Sequence, residues 1–224
     1  MGPSSLVGLA RALRDLGEHV IEPAPVWVSA AGPPYYARLA EAFVAASGVS
    51  REGAPVVLAG HSGAGGLLPA IAEAFEPEVR AAIFIDAILP HPGSGWFDTA
   101  PAALVSRLRS RVEARLLPRW DQWFSAKLLA DLIPDDEMRE ACVAELPAVP
   151  EAYGDAIAPA CPSWPPRAVG YLQLSDAYDG EAGDARRLGW IWRRERLHHL
   201  APLTHPVKVA ESLQSLIDAL PGAA

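Results

Sequence analysis

The chain predicts an α/β fold: a mostly parallel sheet with helices on both faces and an inserted helical cap. Three observations point there. Short apolar runs alternate with longer amphipathic stretches, the order of repeated helix–strand units. The strand candidates lack a polar face; residues 81–85 read Ala-Ala-Ile-Phe-Ile, as suits a strand covered on both sides. Four glycines, Gly60, Gly63, Gly65 and Gly66, crowd one junction between an apolar run and a helix-compatible run, as a very tight strand-to-helix turn requires.

Taken in order, Leu6, Leu9, Ala10, Leu13 and Leu16 recur at helical spacing, with Arg11, Arg14 and Asp15 opposite; Ser4 or Ser5 can cap this helix and Gly17 ends it. Residues 18–22 read as a short strand closed by Pro23 and Pro25. Residues 35–46 form a second amphipathic helix before Gly48. The run after Pro55 is a strand, residues 67–75 a helix, and residues 81–85 a strand ending at Asp86. From 90 to 166 the pattern changes to short helical pieces broken by prolines, with Trp96, Phe97, Trp120, Trp123, Phe124 and Trp164 concentrated there. This segment reads as the cap, inserted into a core formed by residues 1–89 and 167–224. Most of its aromatics are cap core; Trp96 and Trp123 are candidates to line an apolar pocket. A strand at 167–174, a helix at 178–188, a short strand at 190–194 and an amphipathic helix at 206–220 complete the chain.

Composition bounds the function. The 224 residues are 50% hydrophobic and carry a formal net charge of −8, which suits one domain with an insertion. No net positive field exists to attract nucleic acid or an anionic membrane. Cys142 and Cys161 show neither metal-ligand nor redox spacing, so no metal and no cofactor is implied and a reducing, cytoplasmic setting is expected. No apolar run reaches the length of a membrane span, and no signal peptide is visible.

The chemistry concentrates at Gly60-His61-Ser62-Gly63-Ala64-Gly65-Gly66. A serine at the tip of so tight a turn has its hydroxyl pushed into the open, and the Gly63 amide, at the start of a helix, faces any oxyanion formed there. A serine hydroxyl needs a positioned base. His199 is the candidate, in a turn between the last strand and the last helix; His198 is its register alternative, and His61 should point away from Ser62. A carboxylate must orient the imidazole. Asp179, after the strand at 167–174, is preferred; Asp86, at the end of the strand following the glycine turn, is the alternative.

These stretches resemble the α/β-hydrolase superfamily: the glycine turn matches its nucleophile elbow, and residues 197–206 match its histidine loop, apolar after the histidine and closed by a proline. The chain is most similar to short bacterial members and to the plant hydroxynitrile-lyase and methylesterase group, which end the comparable strand in Leu-Pro, as at Leu89-Pro90. Some haloalkane-dehalogenase relatives place the acid where Asp86 stands. The resemblance implies a serine hydrolase acting on a small apolar ester, lactone or thioester, with a small-molecule substrate as its partner. The same site admits an elimination, lyase or cyclisation reaction, and the scaffold admits non-catalytic binding. In the superfamily a strand and a His-Gly-type loop precede the first helix. Here Met1 already lies in that loop, so a central strand is expected to be lacking. Gly2 and Pro3 would then face the oxyanion, and an unpaired sheet edge would favour a homodimer.

Overall fold

The computed structural model describes residues 2, 4–23, 32–49, 54–75 and 78–221. Helices α1 (Ser4–Asp15) and α2 (Tyr35–Ser47) precede strand β1 (Val56–Ser62). A five-residue 3₁₀ helix, Gly63–Leu67, runs directly into α3 (Leu68–Ala74) and then β2 (Val79–Ala87). Five short helices follow: α4 (Trp96–Thr99), α5 (Ala102–Arg109), α6 (Ala126–Leu132), α7 (Asp136–Ala144) and α8 (Glu151–Gly154). The chain returns as β3 (Ala168–Gln173), α9 (Asp179–Arg187), β4 (Ile191–Arg194), α10 (Ala201–Thr204) and α11 (Pro206–Ala219).

Among the described residues the sheet has four strands in the order β1-β2-β3-β4, every pair parallel. Because side chains alternate along a strand, β2 divides its residues between two cores. Ala81, Ile83 and Ile85 face α1 and α11 through Leu9, Leu13, Val209, Leu213 and Leu216. Ala82 and Phe84 face α2, α3 and α9 through Tyr36, Ala40, Leu68, Ile71 and Ala182. Ile83 and Phe84 are both 0% exposed, and burying each such side chain contributes roughly 1.5–3 kcal/mol. This explains the unbroken apolar run of β2: it is covered on both faces.

Two smaller clusters hold the segment between β2 and β3. Leu129, Ile133 and Cys142 gather around Leu200, which comes from outside that segment. Phe97, Leu108 and Leu117 gather with Trp96 and Trp123.

One expected element is absent. Residues 18–22, read as a strand, form none. Only Val20 of this stretch packs on the core. Its carbonyl accepts from Arg14 Nη2 at 2.7 Å, and Arg14 also pairs with Glu22 at 3.0 Å. A helix side chain thus takes the bond that a neighbouring strand would have taken.

Candidate active site

The site is assembled at the carboxyl ends of the parallel strands, where open α/β sheets hold their ligands. Ser62 ends β1 with φ 59° and ψ −128°, a conformation that costs a non-glycine residue about 1–3 kcal/mol and survives only where its surroundings enforce it. The surroundings do so. The Ser62 carbonyl accepts from Ile88 N–H at 3.2 Å. The turn closes so tightly on β2 that a Cβ at Gly65 would run into the Ile88 carbonyl oxygen. Gly63 opens the 3₁₀ helix, with open space where a Cβ would stand.

Asp86 is the second strained residue, with φ 43°. Pairing between β1 and β2 runs His61 to Ile85 and then Ser62 to Ala87, skipping Asp86. It is therefore the extra residue of a bulge, a device that re-aims a side chain; aspartate tolerates this left-handed backbone better than most residues. The Tyr171 hydroxyl, from β3, fixes the bulge by donating to the Ala87 carbonyl at 2.9 Å and accepting from the Ala87 N–H at 3.2 Å.

The re-aimed Asp86 carboxylate is 0% exposed and fully engaged. Oδ1 accepts from Leu174 N–H at 2.9 Å and Ser175 N–H at 3.0 Å; Oδ2 accepts from Ser175 Oγ at 2.7 Å. His199 Nδ1 donates to the same Oδ2 at 2.8 Å. Burial pushes the carboxyl's pKa up, but these donors outweigh burial and hold it below the usual value. A carboxylate accepting at Nδ1 leaves the His199 Nε2 lone pair facing Ser62, whose Oγ donates to it at 3.0 Å. Serine, imidazole and carboxylate are thus joined in one chain of hydrogen bonds, the geometry by which such constellations are recognised.

The imidazole is clamped on both faces. The His61 ring stacks on one, with centroids 4.6 Å apart, and the Tyr178 ring on the other at 5.0 Å and 13°. His61, expected to point away from Ser62, meets His199 instead: its Nε2–H donates to the His199 carbonyl at 2.9 Å. Burial, then the neighbouring His199, lowers its pKa to about 3, so it is a neutral donor. The Tyr178 hydroxyl lies 3.5 Å from Ser62 Oγ, and burial raises its pKa to about 12. Neither ring was a site candidate on sequence. The signals were a histidine beside the serine and an aromatic just past a strand end.

The structure places the preferred acid elsewhere. Asp179 begins α9, where its carboxylate accepts from Gln173 Nε2 at 2.5 Å and Arg194 Nη1 at 3.2 Å. Arg194 also pairs with Asp176. Gln173 is itself held by Trp192 Nε1–H, which donates to its Oε1 at 3.3 Å. This network draws Asp179 away from His199, and Asp86 takes that contact. The register alternative, His198, is bonded through Nε2 to Thr204. Gly2 turns toward α7: its carbonyl accepts from Ser5 N–H, and a Cβ there would collide with Glu145. Glu145 in turn accepts from Ser4 N–H at 2.9 Å, a carboxylate where a helix start favours one. Pro3 lies outside the described residues. Trp96 and Trp123 stack on each other at 5.6 Å within the second cluster between β2 and β3.

Comparison with known proteins agrees with this architecture. A model of the alpha/beta hydrolase family matches residues 6–212. Among solved structures, an extracellular alpha/beta-hydrolase from a Paenibacillus species superposes with a TM-score of 0.72 at 17% identity, covering 96% of this chain and 94% of that one. A methylesterase from Arabidopsis superposes at 0.64 with 14% identity, covering 97% and 94%. A polyneuridine aldehyde esterase gives 0.67 and 15%, covering 97% and 94%. No curated protein sequence matches the chain. With the family model spanning nearly its whole length, this chain belongs to the alpha/beta hydrolase family.

Proposed function

We infer that the protein hydrolyses a small apolar carboxylic ester, lactone or thioester through Ser62, His199 and Asp86. The observation that carries this reading is the continuous bond chain from Ser62 Oγ to His199 Nε2 and from His199 Nδ1 to Asp86. In the first half-reaction Ser62 Oγ bonds to the carbonyl carbon while His199 Nε2 takes its proton. The resulting imidazolium is stabilised by the buried Asp86 carboxylate. The Gly63 N–H, at the start of the helical turn after Ser62, donates to the oxyanion. His199 then passes its proton to the departing oxygen, and the carbon–oxygen bond breaks. In the second half, water loses a proton to His199 as its oxygen bonds to the acyl carbon; the carbon–Ser62 Oγ bond then breaks and His199 returns the proton to Oγ. Structural relatives named as esterases support this reading.

In the same reading, residues 90–166 form a cap on a core of residues 1–89 and 167–224. The mixed cluster of Leu129, Ile133, Cys142 and Leu200 supports it, since it ties that segment to the residue after His199. The test is direct. Wild-type protein should hydrolyse short-chain esters and take a fluorophosphonate label on Ser62. Ser62→Ala should lose the label and at least 10³-fold in kcat. Unchanged turnover in that variant overturns the reading.

A further inference from the structure

We propose that Tyr178 is a catalytic residue, its phenol hydroxyl donating a hydrogen bond to the leaving-group oxygen as that oxygen departs from the carbon attacked by Ser62. The inference rests on the ester-hydrolase reading and adds a group to it.

Four observations carry it. First, the hydroxyl stands 3.5 Å from Ser62 Oγ. That is the outer limit of a hydrogen bond to the serine itself, yet it suits an oxygen one step farther out, on the tetrahedral carbon that Oγ would hold. Second, the ring lies parallel to His199 at 13°, so its hydroxyl approaches Ser62 from the imidazole side. The leaving oxygen must sit on that side to collect the proton from His199 Nε2. Third, the residue is held from the acid. The Asp86 carboxylate accepts from Leu174 N–H, Ser175 N–H and Ser175 Oγ, and Tyr178 follows three residues later on the 3₁₀ turn Asp176–Tyr178. One short loop therefore loads the carboxylate and sets the phenol over the imidazole. Fourth, burial keeps the phenol protonated through the neutral range, so it stays a donor.

The balance of the step is simple. The Ser62 Oγ–carbon bond stays, the carbon–alkoxy bond breaks, and the His199 proton moves to the alkoxide. Tyr178 keeps its own proton and only shares it. Such help matters for a basic alkoxide and hardly at all for a stabilised phenolate, so the residue favours alkyl esters.

The test compares ethyl butyrate with p-nitrophenyl butyrate, which form the same acyl-enzyme. Tyr178→Phe keeps the stacked ring and removes the hydroxyl. kcat/KM should fall about tenfold on the ethyl ester, the size of one neutral hydrogen bond, and by less than threefold on the p-nitrophenyl ester, with fluorophosphonate labelling of Ser62 retained. Equal losses on both esters would mark an oxyanion donor and overturn the assignment, as would no loss on either. If Tyr178→Phe does not fold, the wild type decides: rates should depend only shallowly on leaving-group pKa across alkyl and aryl butyrates, and a steep dependence overturns the assignment. A wild type that neither hydrolyses esters nor labels at Ser62 overturns the ester reading itself, and this inference with it. Labelling and hydrolysis without the selective loss overturn this inference alone.

Discussion

The carboxyl end of the sheet and the segment between β2 and β3 are held by different physics. At the sheet end, the polar groups buried around Asp86 are matched: Asp86 has four donors, Ala87 has both backbone groups on Tyr171, and the Ser62 carbonyl has Ile88. In the segment between, small apolar clusters are rimmed by exposed ion pairs such as Arg109 with Asp155 and Lys127 with Asp131. Buried, matched networks resist change and lose heavily when one member goes. Exposed pairs are screened by water and contribute little each. The first region specifies one geometry; the second tolerates variation.

The comparison breaks most sharply at Asp86. In Asp86→Asn the amide oxygen can still accept from Leu174 and Ser175, but the amide nitrogen faces His199 Nδ1 and drives the imidazole to the wrong tautomer. kcat for ester hydrolysis should fall about 10³–10⁴-fold. Asp179→Asn, on the Gln173 and Arg194 network, should change kcat less than threefold.

The join between the two regions comes next. Leu200 is 0% exposed, with Leu129, Ile133 and Cys142 around it. Leu200→Ala should cost about 2–5 kcal/mol in chemical denaturation, and kcat should fall more than KM rises, because the adjacent His199 loses its anchor.

Acid should weaken the sheet end selectively. His61 has a folded-state pKa of about 3, below its unfolded value. The unfolded chain therefore binds the proton first, and stability is lost as pH falls from about 6.5 toward 3. Asp86, also held low, adds loss below the ordinary carboxylate range. His61→Phe keeps a ring against His199 and should flatten the upper part of that curve, read as Tm against pH.

Tyr171→Phe removes both bonds to Ala87 and should cost about 1–3 kcal/mol, with a measurable drop in kcat through the Asp86 bulge. The smallest effect belongs to the other region. Lys127→Ala removes an exposed pair with Asp131 and should shift stability by less than about 1 kcal/mol, with kcat unchanged.

The contrast also explains what could be read in advance. Ser62 was legible because an elbow needs small residues at adjacent positions, and that need is written locally. His199 was legible because its loop lies between an apolar strand and a proline-led helix. The choice between Asp86 and Asp179 was not local. Both follow strands, and the decision depends on a one-residue bulge in β2, on two N–H groups of another strand's end, and on Gln173 and Arg194 capturing the competitor. No periodicity reports such an arrangement. The contact of His61 with His199 was not legible, because alternation along β1 turns His61 from Ser62 but does not say that the loop after β4 folds back to meet it. Residues 18–22 failed as a strand because two apolar residues between acids do not specify a partner.

Leu200 has a consequence for rebuilding the molecule. The residue that follows His199 along the chain has its socket in the intervening segment. Grafting that segment from a relative to alter substrate preference would therefore also retune the base, unless the donor supplies a matching hole. Libraries that vary the rim while sparing Leu129, Ile133 and Cys142 keep the two traits separable.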